Sequence, residues 1–257
     1  MSPTVYLVSG ASRGIGLAMV TQLASRPDAV VFAGARDPAR ATNLQALAKS
    51  HPGRFHVLKL TSPDKANNIA AAEEIIAIFE IRVAGRLDVV IANAGIGDAF
   101  ESALELRTED MVRHFEVNTN GALVLFQATY PLLKGSKTPK FVTVSSGLGS
   151  IALAGQMPVL MYPYGASKAA LNWVTRKLHH DFPDFVIFPI SPGAVLTEGA
   201  LAVHEKAPGM KEMLEGSLAP ISPEESARGT LEQIDIATRE THGGQFVDYT
   251  GLGKWGW

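Results

Sequence analysis

The chain has 257 residues, 46% hydrophobic and 19% charged, enough apolar content for a sizeable buried core and too much for a disordered chain. A formal charge of −2 with no basic block argues against a nucleic-acid partner. There is no cysteine, which excludes disulfides, thiolate catalysis and cysteine-ligated metal. The start, MSPTVYLVSGASRGIG, lacks the pattern of a secretory leader, and no apolar run approaches the ~20 residues of a membrane helix. A soluble, cytoplasmic protein with no membrane partner is expected.

Short apolar runs rich in β-branched residues recur along the chain. They are TVYLVS (4–9), AVVFAGA (29–35), FHVLKL (55–60), LDVVIAN (87–93), KFVTVSS (140–146), FVIFPIS (185–191) and GQFVDY (244–249). Between them lie helix-length stretches, among them 15–25, 68–80 and 111–133; the last two carry apolar residues at three- and four-residue spacing. Strands apolar along their whole length, alternating with helices, predict a parallel sheet covered on both faces. The expectation is a single α/β domain over 1–257, a Rossmann-type doubly wound parallel sheet of about seven strands. Ser222-Pro223-Glu224-Glu225 reads as a capping box opening a late helix.

After the first run comes SGASRGIG, with glycines at 10, 14 and 16. Glycine there permits a tight turn, close approach of backbone N–H groups to a phosphate, and close packing of the following helix. Gly10, Ser12, Arg13, Gly14, Ile15 and Gly16 are therefore candidate cofactor-binding residues. An acid at the end of the second strand would accept from a ribose 2′-OH. Here that strand ends in Ala35-Arg36, with no acid before Asp37. Arg13 and Arg36 suit a 2′-phosphate instead, which favours NADPH/NADP+ over NADH.

Asn93-Ala94-Gly95 follows the fourth strand, and YPYGASK occupies 162–168. Taken with SGASRGIG, these segments resemble the short-chain dehydrogenase/reductase family over essentially the whole chain. The length and GGQFVDYTG are similar to the sniffer-like and fungal ketoreductase branch of its carbonyl reductases. The resemblance implies roles. Asn93, Ala94 and Gly95 would support the cofactor, and Asn118 in FEVNTNG would hold a water for proton relay. Ser191-Pro192-Gly193-Ala194-Val195-Leu196-Thr197 matches the family's PGxVxT segment, making Pro192, Gly193, Val195 and Thr197 cofactor contacts. A homo-oligomer, dimer or tetramer, is implied too.

The YxxxK spacing occurs twice, at Tyr130/Lys134 and Tyr164/Lys168. Tyr130 precedes a proline late in an apolar helix pattern and reads as packing. Tyr162 has Ala166 where a lysine would be needed. Tyr164 and Lys168 share one helix face, and an adjacent ammonium is expected to lower the phenol pKa from about 10. Tyr164 would then be the general acid, with Lys168 also holding the nicotinamide ribose by family resemblance. In the adjacent pair Ser145-Ser146, alignment on the family places Ser146 beside the substrate oxygen. A serine hydrolase is the poorer reading, because GxSxG is absent.

Two departures stand out. The family's adenine-contacting acid after the third strand is replaced by Lys59, or by Thr61 if the alignment slips by two. The stretch between Ser146 and Tyr164 is longer than the family's. Segment 147–163, with Met157, Leu160 and Met161, and segment 198–221, with Leu201, His204, Met210, Met213 and Leu214, are expected to wall the substrate pocket. The histidines show no metal-site spacing. The expected activity is NADPH-dependent reduction of a small-molecule carbonyl substrate, a ketone or aldehyde. The rival is an NADPH-binding sensor of the same fold without turnover.

Overall fold

The computed structural model describes residues 2–79, 85–197 and 219–257. Seven strands, β1 (Thr4–Val8), β2 (Ala29–Ala35), β3 (Phe55–Lys59), β4 (Val89–Ala92), β5 (Lys140–Val144), β6 (Val186–Ser191) and β7 (Val247–Asp248), form one sheet in the order β3-β2-β1-β4-β5-β6-β7. Every pairing is parallel, from Thr4↔Ala29 between β1 and β2 to Ser191↔Asp248 between β6 and β7. All seven predicted strands exist. The last is shorter than GQFVDY because pairing reaches only Val247 and Asp248.

Alternation along the strands divides the core in two. Tyr6 and Val8 join Val31, Ile91 and Phe188 on one face, packed with Met19 and Leu23 of α1 (Gly14–Ala24) and Leu44 of α2 (Thr42–Ser50). Val5 and Leu7 join Phe32, Val90, Phe141 and Ile187 on the other. That face is covered by Ile75 of α3 (Lys65–Phe79), by Leu125 and Phe126 of α5 (Gly121–Leu133) and by Leu171 and Leu178 of α6 (Tyr162–Asp181), while α4 (Thr108–Phe115) leads into α5 and packs on α6. The final helix, α7 (Pro223–Ile236), returns to the first face through Leu231 and Ile234. The Ser222 hydroxyl caps it, accepting from the Glu225 amide at 3.1 Å as the capping box predicts. Among the described residues no helix is long and apolar enough to cross a membrane.

Two features position the site. Strand order reverses between β1 and β4, so the chain leaves their carboxyl ends in opposite directions and opens a crevice there. The 111–133 pattern is one helical run interrupted by a π turn at Glu116–Asn120 between α4 and α5. Such a turn inserts an extra residue and redirects the side chains within it, a device frequent at functional sites.

Candidate active site

A cleft of about 980 Å³ lies over the carboxyl ends of the central strands. Its walls contain every residue expected to bind cofactor: Gly10, Ser12, Arg13, Gly14, Ile15, Gly16, Arg36, Asn93, Ala94, Gly95, Tyr164, Lys168, Pro192, Gly193, Val195 and Thr197.

The glycine-rich turn is built by exclusion. Gly10 has φ +64°, and a Cβ there would lie 2.8 Å from Ala94 Cα; at Gly16 it would lie 2.3 Å from Gly10 O. No side chain fits at either position. Asn93 fixes the turn from β4, its Nδ2 donating to Ser9 O at 3.0 Å and Gly10 O at 3.1 Å. The Ser9 hydroxyl returns the contact by accepting from the Asn93 and Ala94 amides. Helix α1 then begins with Arg13 as N-cap, without a capping side chain and with no acid in its first turn. Its leading N–H groups and positive dipole end are thus left for an anion.

Arg13 and Arg36 are exposed on the cleft wall, and neither forms an ion pair among the described residues. The first acid after β2, Asp37, caps the following 3₁₀ turn by accepting from the Arg40 amide. At the end of β3, Leu60 and Ser62 line the cleft, whereas Lys59 and Thr61 do not. Lys59 is exposed, and the Thr61 amide donates to Asn67 Oδ1 at 2.6 Å. After β3 it is therefore Leu60 and Ser62, not Lys59 or Thr61, that stand on the cleft wall.

Helix α6 presents Tyr164 and, one turn on, Lys168. The approach is close because Gly97 lies under the Tyr164 ring, where a Cβ would be 3.0 Å from Cδ2, and Gly149 lies against the Lys168 backbone. Ser146 caps the 3₁₀ turn Gly147–Gly149 by accepting from the Leu148 amide, and its side chain acts on the Tyr164 phenol to lower that group's pKa. Its neighbour Ser145 also lines the cleft but is buried and donates to Asn172 Oδ1 at 2.5 Å.

The electrostatics differ from expectation. Burial pushes the phenol of Tyr164 above its ordinary value of 10.0, and the Ser146 side chain only partly opposes this. Lys168 does not lower it. Its Nζ sits 5.6 Å from the ring centroid and donates to Val144 O at 2.7 Å, and burial pushes the ammonium itself down to about 8.

Asn118 lies in the π turn, behind the cleft wall rather than in it, and is 1% exposed. Its Oδ1 accepts from the Ile96 amide at 2.8 Å, while Nδ2 donates to Ile96 O and to Ser167 Oγ, each at 2.9 Å. The side chain therefore staples the β4 exit loop to α6. Asn118→Ala would strand the Ile96 N–H and C=O, an expected loss of about 3 kcal/mol by urea unfolding.

Tyr130 and Lys134 are far from this group. Tyr130 packs among Phe126, Phe182 and Phe185, stacked on the last at 5.6 Å, as a packing residue should. Tyr162, the first residue of α6, is exposed. At the substrate end Met157 and Met161 line the cleft with Phe100 and Leu148, whereas Leu160 does not. Leu201, His204, Met210, Met213 and Leu214 lie outside the described residues. The sequence reading missed Trp255, also in the cleft wall, because no motif marks it.

A parallel sheet with its glycine turn at the switch point, and a serine, tyrosine and lysine gathered in one cleft, define a dinucleotide-dependent oxidoreductase. The family model "short chain dehydrogenase" matches residues 4–207, and the chain belongs to that family. It is 37% identical over 253 residues to the short chain dehydrogenase gsfK of Penicillium aethiopicum, covering 97% of this chain and 98% of the other. It is 33% identical over 248 residues to the norsolorinic acid ketoreductase nor1 of Dothistroma septosporum, covering 95% and 89%. Among solved structures it is similar to the NADPH-bound carbonyl reductase from chicken fatty liver. The TM-score is 0.85 at 29% identity, with full coverage of both chains.

Proposed function

We propose that the protein is an NADPH-dependent carbonyl reductase in which Tyr164 is the proton donor. The observation that carries this reading is the gathering of Ser146, Tyr164 and Lys168 in the same cleft as the uncapped end of α1. A nicotinamide cofactor held in this cleft would supply hydride to the carbonyl carbon. The chain's own groups complete the reaction. Ser146 orients the carbonyl oxygen, Tyr164 transfers its phenolic proton to that oxygen, and the C=O bond becomes CH–OH. The first-turn amides of α1 and the turn Gly10–Gly16 receive the pyrophosphate. Arg13 and Arg36 would hold the 2′-phosphate, and Lys168 would hold the nicotinamide ribose. The likeness to an NADPH-bound carbonyl reductase and to a fungal ketoreductase supports the assignment.

The test is cofactor oxidation with a panel of aromatic ketones, diketones and quinones, run with NADPH and with NADH in parallel. Turnover with NADPH preferred at least tenfold is expected, since charge-assisted hydrogen bonds contribute about 1.5–3 kcal/mol each. Arg36→Ser should raise KM for NADPH by about tenfold or more and leave that for NADH nearly unchanged. Equal use of the two cofactors by the native protein would remove NADPH from the reading.

A further inference from the structure

Residues 251–257 follow β7 and fold back against the substrate end of the cleft, where Trp255 enters its wall. The indole is held from several directions. Its Nε1 donates to Asp248 Oδ2 at 2.7 Å, and Asp248 is fully buried. The other oxygen of that carboxylate accepts from Lys254 Nζ at 3.1 Å and from the Thr250 hydroxyl at 2.6 Å, fixing the turn that delivers the tryptophan. Phe246 stacks near the ring at 6.3 Å, and the Lys254 ammonium lies 5.2 Å from its centroid.

The ring has room only because residue 147 is glycine. A Cβ there would lie 2.5, 2.7 and 3.0 Å from Cη2, Cζ3 and Cζ2 of Trp255. Near-equal distances to three successive ring atoms place Gly147 over the face of the benzo ring. Gly147 immediately follows Ser146, the residue assigned to the carbonyl oxygen. A large, rigid, half-buried aromatic therefore stands one residue from the carbonyl position, in a wall shared with Phe100, Leu148, Met157 and Met161.

We infer that Trp255 is a specificity-determining residue, selecting carbonyl compounds that carry an aryl group next to the reacting carbon. This rests on the carbonyl reductase reading and deepens it. An indole fixed by a buried carboxylate offers apolar surface with little conformational entropy to lose, and aromatic pairs gain beyond simple area burial. A small aliphatic carbonyl reaches Ser146 and Tyr164 without touching it.

The experiment compares kcat/KM for 1-phenylpropane-1,2-dione and butane-2,3-dione in the native protein, Trp255→Ala and Trp255→Phe. The alanine variant is expected to lose about tenfold or more on the aryl diketone and less than about threefold on the aliphatic one. The phenylalanine variant, which keeps a ring, should retain most of the aryl preference. The aliphatic substrate reports whether each variant still folds and binds cofactor. Parallel loss on both diketones, or an aryl preference unchanged in Trp255→Ala, would overturn the inference while leaving the carbonyl reductase reading intact. Failure of the native protein to reduce any carbonyl of the wider panel would overturn both together.

Discussion

Tyr164→Phe is expected to lower kcat for carbonyl reduction by about 10²- to 10⁴-fold, the usual contribution of a positioned general acid. The ring, its packing on Gly97 and its place at the start of α6 survive the change, so cofactor affinity measured by fluorescence titration should stay within about twofold. The native pH profile carries the same signature. A phenol raised above 10.0 by burial remains protonated through neutrality, so the proton needed for reduction is present there. Reduction should therefore show no limb from Tyr164 below pH 10, whereas oxidation of the product alcohol, which needs the phenolate, should accelerate as pH rises. Turnover that survives in the phenylalanine variant would assign the proton to another group.

Lys168→Met should separate activity from stability. The ammonium is 3% exposed, makes one hydrogen bond to Val144 O, and is lowered from 10.5 to about 8 by burial. Below about pH 8 the lysine is charged in both states, and the folded protein bears the full cost of burying that charge. Between about 8 and 10.5 the native state has shed a proton that the unfolded chain still holds. The unfolded state then binds more protons, and stability rises with pH across this window by roughly 3 kcal/mol in all. A methionine of similar length removes the cost. The variant should be more stable than the native protein at pH 7, by several degrees in Tm, and should lose the rise between pH 8 and 10.5. Its reductase activity should fall sharply, because the group proposed to hold the ribose is gone. A variant less stable at pH 7 would mean that the contact with Val144 outweighs desolvation.

The strands were readable because parallel, doubly covered strands are apolar throughout, and the glycine turn because its constraints are steric and local. Helix α2 was not foreseen. In TNLQALAKS only Leu44 is fully buried, too little for a visible periodicity. The residues expected to bind cofactor could be assigned to one cleft because most belong to motifs at the carboxyl ends of strands, with Tyr164 and Lys168 added from α6. What resisted was orientation. Spacing placed Lys168 beside Tyr164, but the shift of the phenol depends on burial and on where Nζ points, and Nζ points to Val144. Asn118 was visible as a residue, yet the π turn that turns its amide toward Ile96 and Ser167 has no sequence pattern of its own. Lys59 and Thr61 stand where the family has its acid, yet Leu60 and Ser62 line the cleft, because alternate residues of the chain leaving β3 face it. Trp255 reaches Gly147 across more than a hundred residues of chain, through contacts that only the fold creates.

The pairing of β1 with β4 has a kinetic consequence. Tyr6 meets Val89, and the Val5 amide donates to Asp88 Oδ2, so closing the center of the sheet closes a loop that contains β2, β3 and their helices. The Asn118 staple joins Ile96 to Ser167 on top of that closure. Contacts so distant in sequence must meet the entropy of loop closure before they return any stability, which makes assembly slow. The crevice between β1 and β4 exists only once both halves of the sheet have docked. A chain still searching for its register thus has no binding cleft, and recovery of cofactor binding during refolding should report the final docking step rather than the formation of helices.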